Sequence, residues 1–156
     1  MACTGRKEEH AAYLESLGAA EVVDREILSG KPKPLGKQLY AGCVDTVGGT
    51  VLANVLANMQ YGGIVAATGL AGGAGVNTTV MPFILRDVTL AGVDSVMIPK
   101  PNRIRAWTEM AKVLDAEKLK IIVPEDALIG LEGLPSEAPK VIAGAHRGRL
   151  IVDVNR

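Results

Sequence analysis

The sequence predicts an α/β fold, a parallel sheet with helices on both faces, and three observations point to it. Short uncharged runs such as Ile64-Val65-Ala66-Ala67-Thr68 read as strands buried on both sides, because they do not alternate with polar residues. Glycine-rich turns and then stretches of helical apolar spacing follow such runs, the rhythm of βα units. Aromatic residues are only 3% against 18 glycines, which favours a core of small aliphatic side chains over a sandwich.

Taken in order, residues 1–4 read as the end of a strand, Gly5-Arg6 as a turn, and 7–17 as a helix closed by Gly18. Residues 21–24 form a short strand. The stretch 25–39 is a connection, partly helical, kept from a long helix by Pro32 and Pro34. A strand over 43–47 ends at Gly48-Gly49 and leads into a helix over 50–59 carrying Val51, Leu52, Val55, Leu56 and Met59 on one face. The central strand, 64–68, then opens into the glycines at 69, 72, 73 and 75. A short helix within 78–85 buries Met81, Phe83, Ile84 and Leu85. Residues 88–93 are another strand, and 104–114 a helix with Trp107, Met110 and Ala111 inward. Right-handed crossovers between such units make the sheet parallel. Beyond Asp115 the rhythm changes to a strand over 119–123, a helix over 134–143 and a last strand over 149–154. The expected division is therefore 1–115 and 116–156.

Composition narrows the function. The chain has 156 residues, 48% of them hydrophobic and 22% charged, enough for one domain with a core. Lys and Arg number 17 and balance 17 Asp and Glu, which speaks against nucleic-acid or membrane-surface partners. No leader-like or membrane-spanning run is seen, and Cys3 and Cys43 build no disulfide framework, so a reducing, cytoplasmic setting is expected. Cys3 and Cys43 read as buried strand residues. His10 and His146 do not complete a zinc set with them, so no metal ligands are expected.

Several stretches together carry a family likeness. They are Thr4-Gly5-Arg6, Ser16-Leu17-Gly18-Ala19, Ala41 to Gly48, Tyr61-Gly62-Gly63, and Gly69-Leu70-Ala71-Gly72-Gly73. Thr79 to Arg86, Gly92 to Val96 and Gly148-Arg149 join them. The sequence resembles the quinone-oxidoreductase-like, acrylyl-CoA reductase group of the medium-chain dehydrogenase/reductase superfamily. The likeness runs over essentially the whole chain and is specific through the order of these stretches. It implies an incomplete Rossmann-type sheet binding NADPH, with zinc-independent hydride transfer to an activated carbon–carbon double bond or a quinone. The implied partners are a small-molecule enoyl thioester or quinone-like substrate and further copies in a homo-oligomer. The family begins with a separate catalytic domain and a first nucleotide-binding strand with its glycine fingerprint. This chain opens at what resembles the second strand, and residues 116–156 resemble the α+β segment that returns to the catalytic domain. Without the first strand, which is central in the 3-2-1-4-5-6 order, two groups of strands are expected to present unpaired edges and an uncovered apolar face.

The same likeness assigns roles. Thr4, Gly5 and Arg6 would hold the adenosine 2′-phosphate, for which a guanidinium fork is well shaped. Thr46, Val47 and Gly48 would line the adenosine side, or simply form a strand-to-helix turn. Asp45 reads as a cap for nearby amides. Gly69, Leu70 and Ala71 would approach the nicotinamide riboside, and the glycines beyond them could form an anion nest or a loop. Asp94, Ser95 and Val96 would lie near the nicotinamide, with helix capping as the alternative for the first two. Arg149 would reach toward cofactor or substrate. Trp107 reads as core, and Lys100, Arg103 and Arg105 as a solvated helix start. No acid–base pair or nucleophile with its base is assembled, so no catalytic residue is named. The alternative function is an inactive nucleotide-binding or structural fragment of such an enzyme.

Overall fold

Every strand pairing in the chain is parallel, yet the pairings fall into three separate sheets. The computed structural model describes residues 1–156. Its packing forms two compact units, Met1–Glu15 with Ala19–Pro99, and Ser16–Gly18 with Lys100–Arg156. This division comes earlier in the chain than the change of sequence rhythm at Asp115.

In the first unit, β1 (Ala2–Thr4) pairs with β2 (Val22–Asp24) across the helix α1 (Lys7–Ser16). Asp24 then caps a 3-10 turn over Arg25–Leu28, its carboxylate accepting the Glu26 N–H at 2.8 Å. The second sheet has the order β3 (Tyr40–Asp45), β4 (Met59–Ala67), β5 (Thr89–Gly92), with α2 (Gly49–Ala57) and α3 (Met81–Arg86) in its crossovers. The core is built where α2 lays Leu52, Val55 and Leu56 on Met59, Val65 and Val88, with Leu28 beside them. The i, i+3, i+4 spacing on α2 makes one apolar stripe, as its sequence predicts.

Several expectations are corrected in this unit. Met59 is the fully buried first residue of β4, not the end of α2, because the helix closes at Ala57 and Asn58 turns the chain. Gly62, at φ 70°, lies inside the strand, and the pairing with β3 shifts register between Tyr40 and Gly42. The central strand is not buried on both sides. Val65 is fully buried against α2, while Ile64 is 53% exposed and Val44 on β3 is 74% exposed. An apolar sheet face is therefore bare. On α3, Ile84 and Leu85 are exposed rather than buried; the helix anchors through buried Pro82, with Phe83 packed partly against the core.

Between β1 and β3 there is no ladder. The space is a cavity of about 640 Å³ lined by Ala2 and Cys3 on one side and Tyr40 to Asp45 on the other. Leu28, Val51 and Val55 give it an apolar floor. Cys3 is exposed and Cys43 half-buried, not the buried residues expected, because both face this slot.

The second unit comprises α4 (Lys100–Val113), α5 (Ala116–Ile122), β6 (Leu128–Gly130), α6 (Leu134–Ile142) and β7 (Ile151–Asp153). The expected strand over 119–123 is helix. Asp115 caps it by accepting the Glu117 and Lys118 N–H groups, and Glu117 pairs with Lys120 at 2.7 Å, so local helix signals outweigh a short apolar run. The strand β6, which the sequence reading lacked, pairs with β7 through Leu128↔Ile151 and Ile129↔Val152. No residue of α4 is buried, and Trp107 is 61% exposed, so it is not core.

Candidate functional site

Because β3, β4 and β5 are parallel, their carboxyl ends and the loops leaving them share one end of the sheet. At the end of β3, Asp45 is 3% exposed and its carboxylate accepts the Gly48 N–H at 2.8 Å. The carboxylate is thus spent on fixing the turn into α2, the capping role read from the sequence. Gly48 and Gly49 adopt φ of 70° and 56°, which side chains disfavour.

The loop after β4 closes on this turn. Thr68 N–H bonds the Asp45 carbonyl at 2.8 Å, Ala71 the Thr46 carbonyl at 3.4 Å, and Gly72 the Val47 carbonyl at 2.7 Å. A Cβ on Gly69 would run into the Thr46 carbonyl, and one on Gly48 into the Gly73 carbonyl. The structure therefore brings Thr46, Val47 and Gly48 together with Gly69, Leu70 and Ala71. The glycines serve loop-on-loop packing. The N–H groups of residues 71, 72 and 73 are all taken by protein carbonyls, so they form no anion nest. An open cleft remains beside the start of α2, lined by Gly49, Thr50, Gly72, Gly73 and Asn77.

At the end of β5, Val93 N–H continues the ladder onto the Ala67 carbonyl at 2.9 Å. The Asp94 carboxylate then accepts the N–H groups of Val96 and Met97, each at 2.9 Å, a cap-like turn that leaves the Val96 side chain exposed. Arg149 lies in the second unit, where its N–H bonds the Ile122 carbonyl at 2.9 Å.

The β1 end carries Thr4, Gly5 and Arg6. Thr4 Oγ1 accepts the Arg6 N–H at 3.2 Å, which leaves the hydroxyl proton free to donate outward. Gly5 lies under the Arg25 guanidinium; an ideal Cβ there would sit 3.1 Å from Nη2 and 3.3 Å from Cζ. Arg25 was absent from the sequence-derived candidates. The parallel register Thr4↔Asp24 is what delivers it, and no pattern within either segment signals that pairing. These three residues and Arg25 offer two cations, a hydroxyl and a clear backbone. Nothing comparable is offered to a pyrophosphate by residues 71–73.

The slot beside them holds two groups whose ionisation burial opposes. Burial pushes the Cys43 thiol above its ordinary value, with the Asp45 carboxylate and Cys3 adding to it. Burial likewise raises the Tyr40 phenol, followed by Cys3, Cys43 and Glu21. Both groups stay protonated and neutral at pH 7, while Arg25 and Asp45 also line the slot.

The zinc-binding dehydrogenase family profile matches residues 1–116. Acrylyl-CoA reductase AcuI of Ruegeria pomeroyi is 50% identical over 155 residues, 99% of this chain and 46% of that protein. The crystal structure of the yhdH oxidoreductase from Salmonella enterica in complex with NADP superposes with a TM-score of 0.90 at 46% identity, covering 97% of this chain and 45% of that one. Bacillus subtilis yhfP with NAD bound superposes with a TM-score of 0.90 at 42% identity, covering 97% and 46%. The chain thus spans less than half the length of the relatives it matches. The family description names zinc, but these residues gather no group of three His, Cys, Asp or Glu side chains, so no metal step is assigned to them. No helix is long and apolar enough to cross a membrane.

Proposed function

Since the chain belongs to the zinc-binding dehydrogenase family, we propose that it forms the larger part of the nucleotide-binding domain of an NADPH-dependent reductase of the acrylyl-CoA reductase and quinone oxidoreductase type. The observation that carries this reading is Arg6 at the carboxyl end of β1, beside Thr4 and Gly5, in a chain similar over nearly its whole length to a relative solved with NADP. In this reading Arg6 and Thr4 bind the adenosine 2′-phosphate. The joined loops 46–48 and 69–71 orient the adenosine and nicotinamide ends, and Asp94 to Val96 complete the wall at β5. NADPH, when bound, supplies the hydride for an enoyl thioester or a quinone. The chain's own part is positioning, and none of its residues is assigned a proton-transfer role.

The slot between β1 and β3 is read as the seat of one further parallel strand, whose turn would bring the pyrophosphate contacts that residues 71–73 do not supply. Residues 116–156 are read as the segment that joins the catalytic domain. The bare face around Val44 and Ile64 supports self-association into a homo-oligomer. The free thiols fit the cytoplasm.

Calorimetric titration of the 156-residue chain with NADPH and NADH tests the nucleotide assignment. Saturable binding that prefers NADPH, and loses that preference in Arg6→Ala, is expected. A folded chain that binds neither nucleotide would overturn it. A second reading, a nucleotide-binding or structural fragment without turnover, is favoured by the open slot. NADPH binding with no oxidation on addition of a quinone or enoyl thioester would select it.

A further inference from the structure

We propose that Cys3 and Cys43 form a redox latch: when the slot between β1 and β3 is empty, its two edges close on each other and a Cys3–Cys43 disulfide holds them shut. This rests on the reading of that slot as the seat of a further strand, and adds a means of regulating its occupancy.

The chain has two cysteines, and both line this one cavity. Cys3 stands on β1 and Cys43 on β3, the strands that face each other without a ladder. Both are free thiols, Cys3 exposed and Cys43 half-buried. Their sulfurs are near enough to sense one another, since a Cys3 thiolate would raise the Cys43 thiol further. The β1–β2 pair is anchored to the second sheet beyond the end of β2. Leu28 packs into the core beside α2, and the Asn54 amide donates to the Leu28 and Gly30 carbonyls at 2.8 and 2.7 Å. With that anchor in place, β1 can swing toward β3 about the turn over 25–30.

Distance makes the bond a sensor of occupancy. A strand in the slot would hold β1 and β3 two ladder spacings apart, about 9.6 Å. A disulfide needs Cα atoms within about 7 Å, so an occupied slot forbids it. Closing the empty slot to one ladder spacing, about 4.8 Å, brings the pair into the allowed range. Closure also pairs two bare edges and covers the apolar floor of Leu28, Val51 and Val55. The reduced chain is therefore open to a further strand, and the oxidised chain is shut.

The chemistry balances with a small-molecule disulfide, oxidised glutathione, as the oxidant. Cys3 reacts first because it is exposed, and the Arg25 guanidinium offsets part of the rise that burial and Asp24 impose on its thiol. Its thiolate attacks one glutathione sulfur, expels a glutathione thiolate and leaves a mixed disulfide. The Cys43 thiolate then attacks the Cys3 Sγ and expels the second glutathione thiolate. The two cysteine protons end on the two glutathione thiols, so two protein thiols are oxidised and one disulfide is reduced.

The test equilibrates the native 156-residue chain with reduced and oxidised glutathione at mildly alkaline pH, blocks free thiols by alkylation and reads the products by mass spectrometry. Wild type should give a monomer lighter by two hydrogen atoms, with the Cys3 and Cys43 peptides joined. The equilibrium constant for that bond should be at least about tenfold higher in buffer than in urea, because folded closure favours it. Cys3→Ser and Cys43→Ser should each yield only a mixed disulfide at the remaining thiol. Amide hydrogen exchange on the reduced and oxidised chains should show the edge amides of β1 and β3 gaining protection on oxidation. A native chain that carries two glutathiones and no cross-link, or joins its cysteines only between molecules or only in urea, overturns the latch. If its reduced edge amides exchange rapidly, the strand-seat reading survives that failure; if they are already protected, the slot is not open and both fall. A cross-link without added protection would mean that the thiols meet across an open slot, which overturns the closure.

Discussion

The Arg86 guanidinium donates to the Gly36 carbonyl at 2.6 Å, joining residues that are 50 positions apart. Its other terminal nitrogen reaches the carbonyls of Ala57 at 3.0 Å and Met59 at 3.2 Å. One side chain thus ties the end of α3 to the end of α2, the start of β4 and the loop before β3.

Removing that tie should be costly. Arg86→Ala is expected to lower stability by about 2–4 kcal/mol, because three carbonyls lose a charged donor in a half-buried place. Arg86→Lys should recover less than half, since an ammonium cannot span the three acceptors as a guanidinium does. Urea unfolding midpoints at constant m-value measure both.

Asp45 makes a sharper contrast of chemistry. Asp45→Ala frees the buried Gly48 N–H and should cost about 2 kcal/mol, while Asp45→Asn keeps an acceptor oxygen and should cost about half that. Equal losses in chemical denaturation would mean that the charge, not the hydrogen bond, holds the turn.

The glycines of the central loop differ among themselves. Gly69→Ala drives a Cβ into the Thr46 carbonyl and should destabilise by about 3 kcal/mol. At Gly75 nothing lies within 4 Å of a Cβ and φ is not positive. Gly75→Ala should therefore be neutral or stabilise by about 0.5 kcal/mol through the unfolded chain. Thermal melts of the pair give the comparison.

The Cys43 thiol gives a pH dependence. Its folded value is raised above the ordinary 9.0, by burial first and then by the Asp45 carboxylate and Cys3. The folded state thus holds this proton more tightly than the unfolded state. The contribution is fully present below 9.0 and is lost as pH rises through the folded value. Stability should fall as pH rises from about 9 through the folded value, and Cys43→Ser should remove part of that fall. Under alkylation at pH 8, exposed Cys3 should react before Cys43.

Much of the first unit could be read from the chain. The strands near residues 2, 22, 43, 64 and 89 all form, and so does the helix carrying Leu52, Val55 and Leu56, because each shows its period within a few residues. The glycines at the ends of β3 and β4 were legible as points of close approach, although what approaches Gly69 and Gly48 is protein backbone, the Thr46 and Gly73 carbonyls. Less was legible in the tail. Leu119 to Val123 is too short an apolar run to separate strand from helix, and the Asp115 cap decided it. Trp107 looked like core because its size suggests burial, yet burial depends on what packs against α4, and no residue of that helix is buried. The placement of Arg25 over Gly5 was missed for the opposite reason: locally it is an ordinary arginine after a strand.

By itself, then, the sequence determined the succession of parallel βα units, the glycine positions at the strand ends and the placement of Arg6 after β1. Only the tertiary structure decided that β1 and β3 face each other without pairing, that Ile64 and Val44 stay bare, and that Arg25 covers Gly5. The physical reason is range. Backbone conformation follows from side chains a few residues apart, whereas edge pairing, face coverage and guanidinium placement depend on which distant segments are brought into contact.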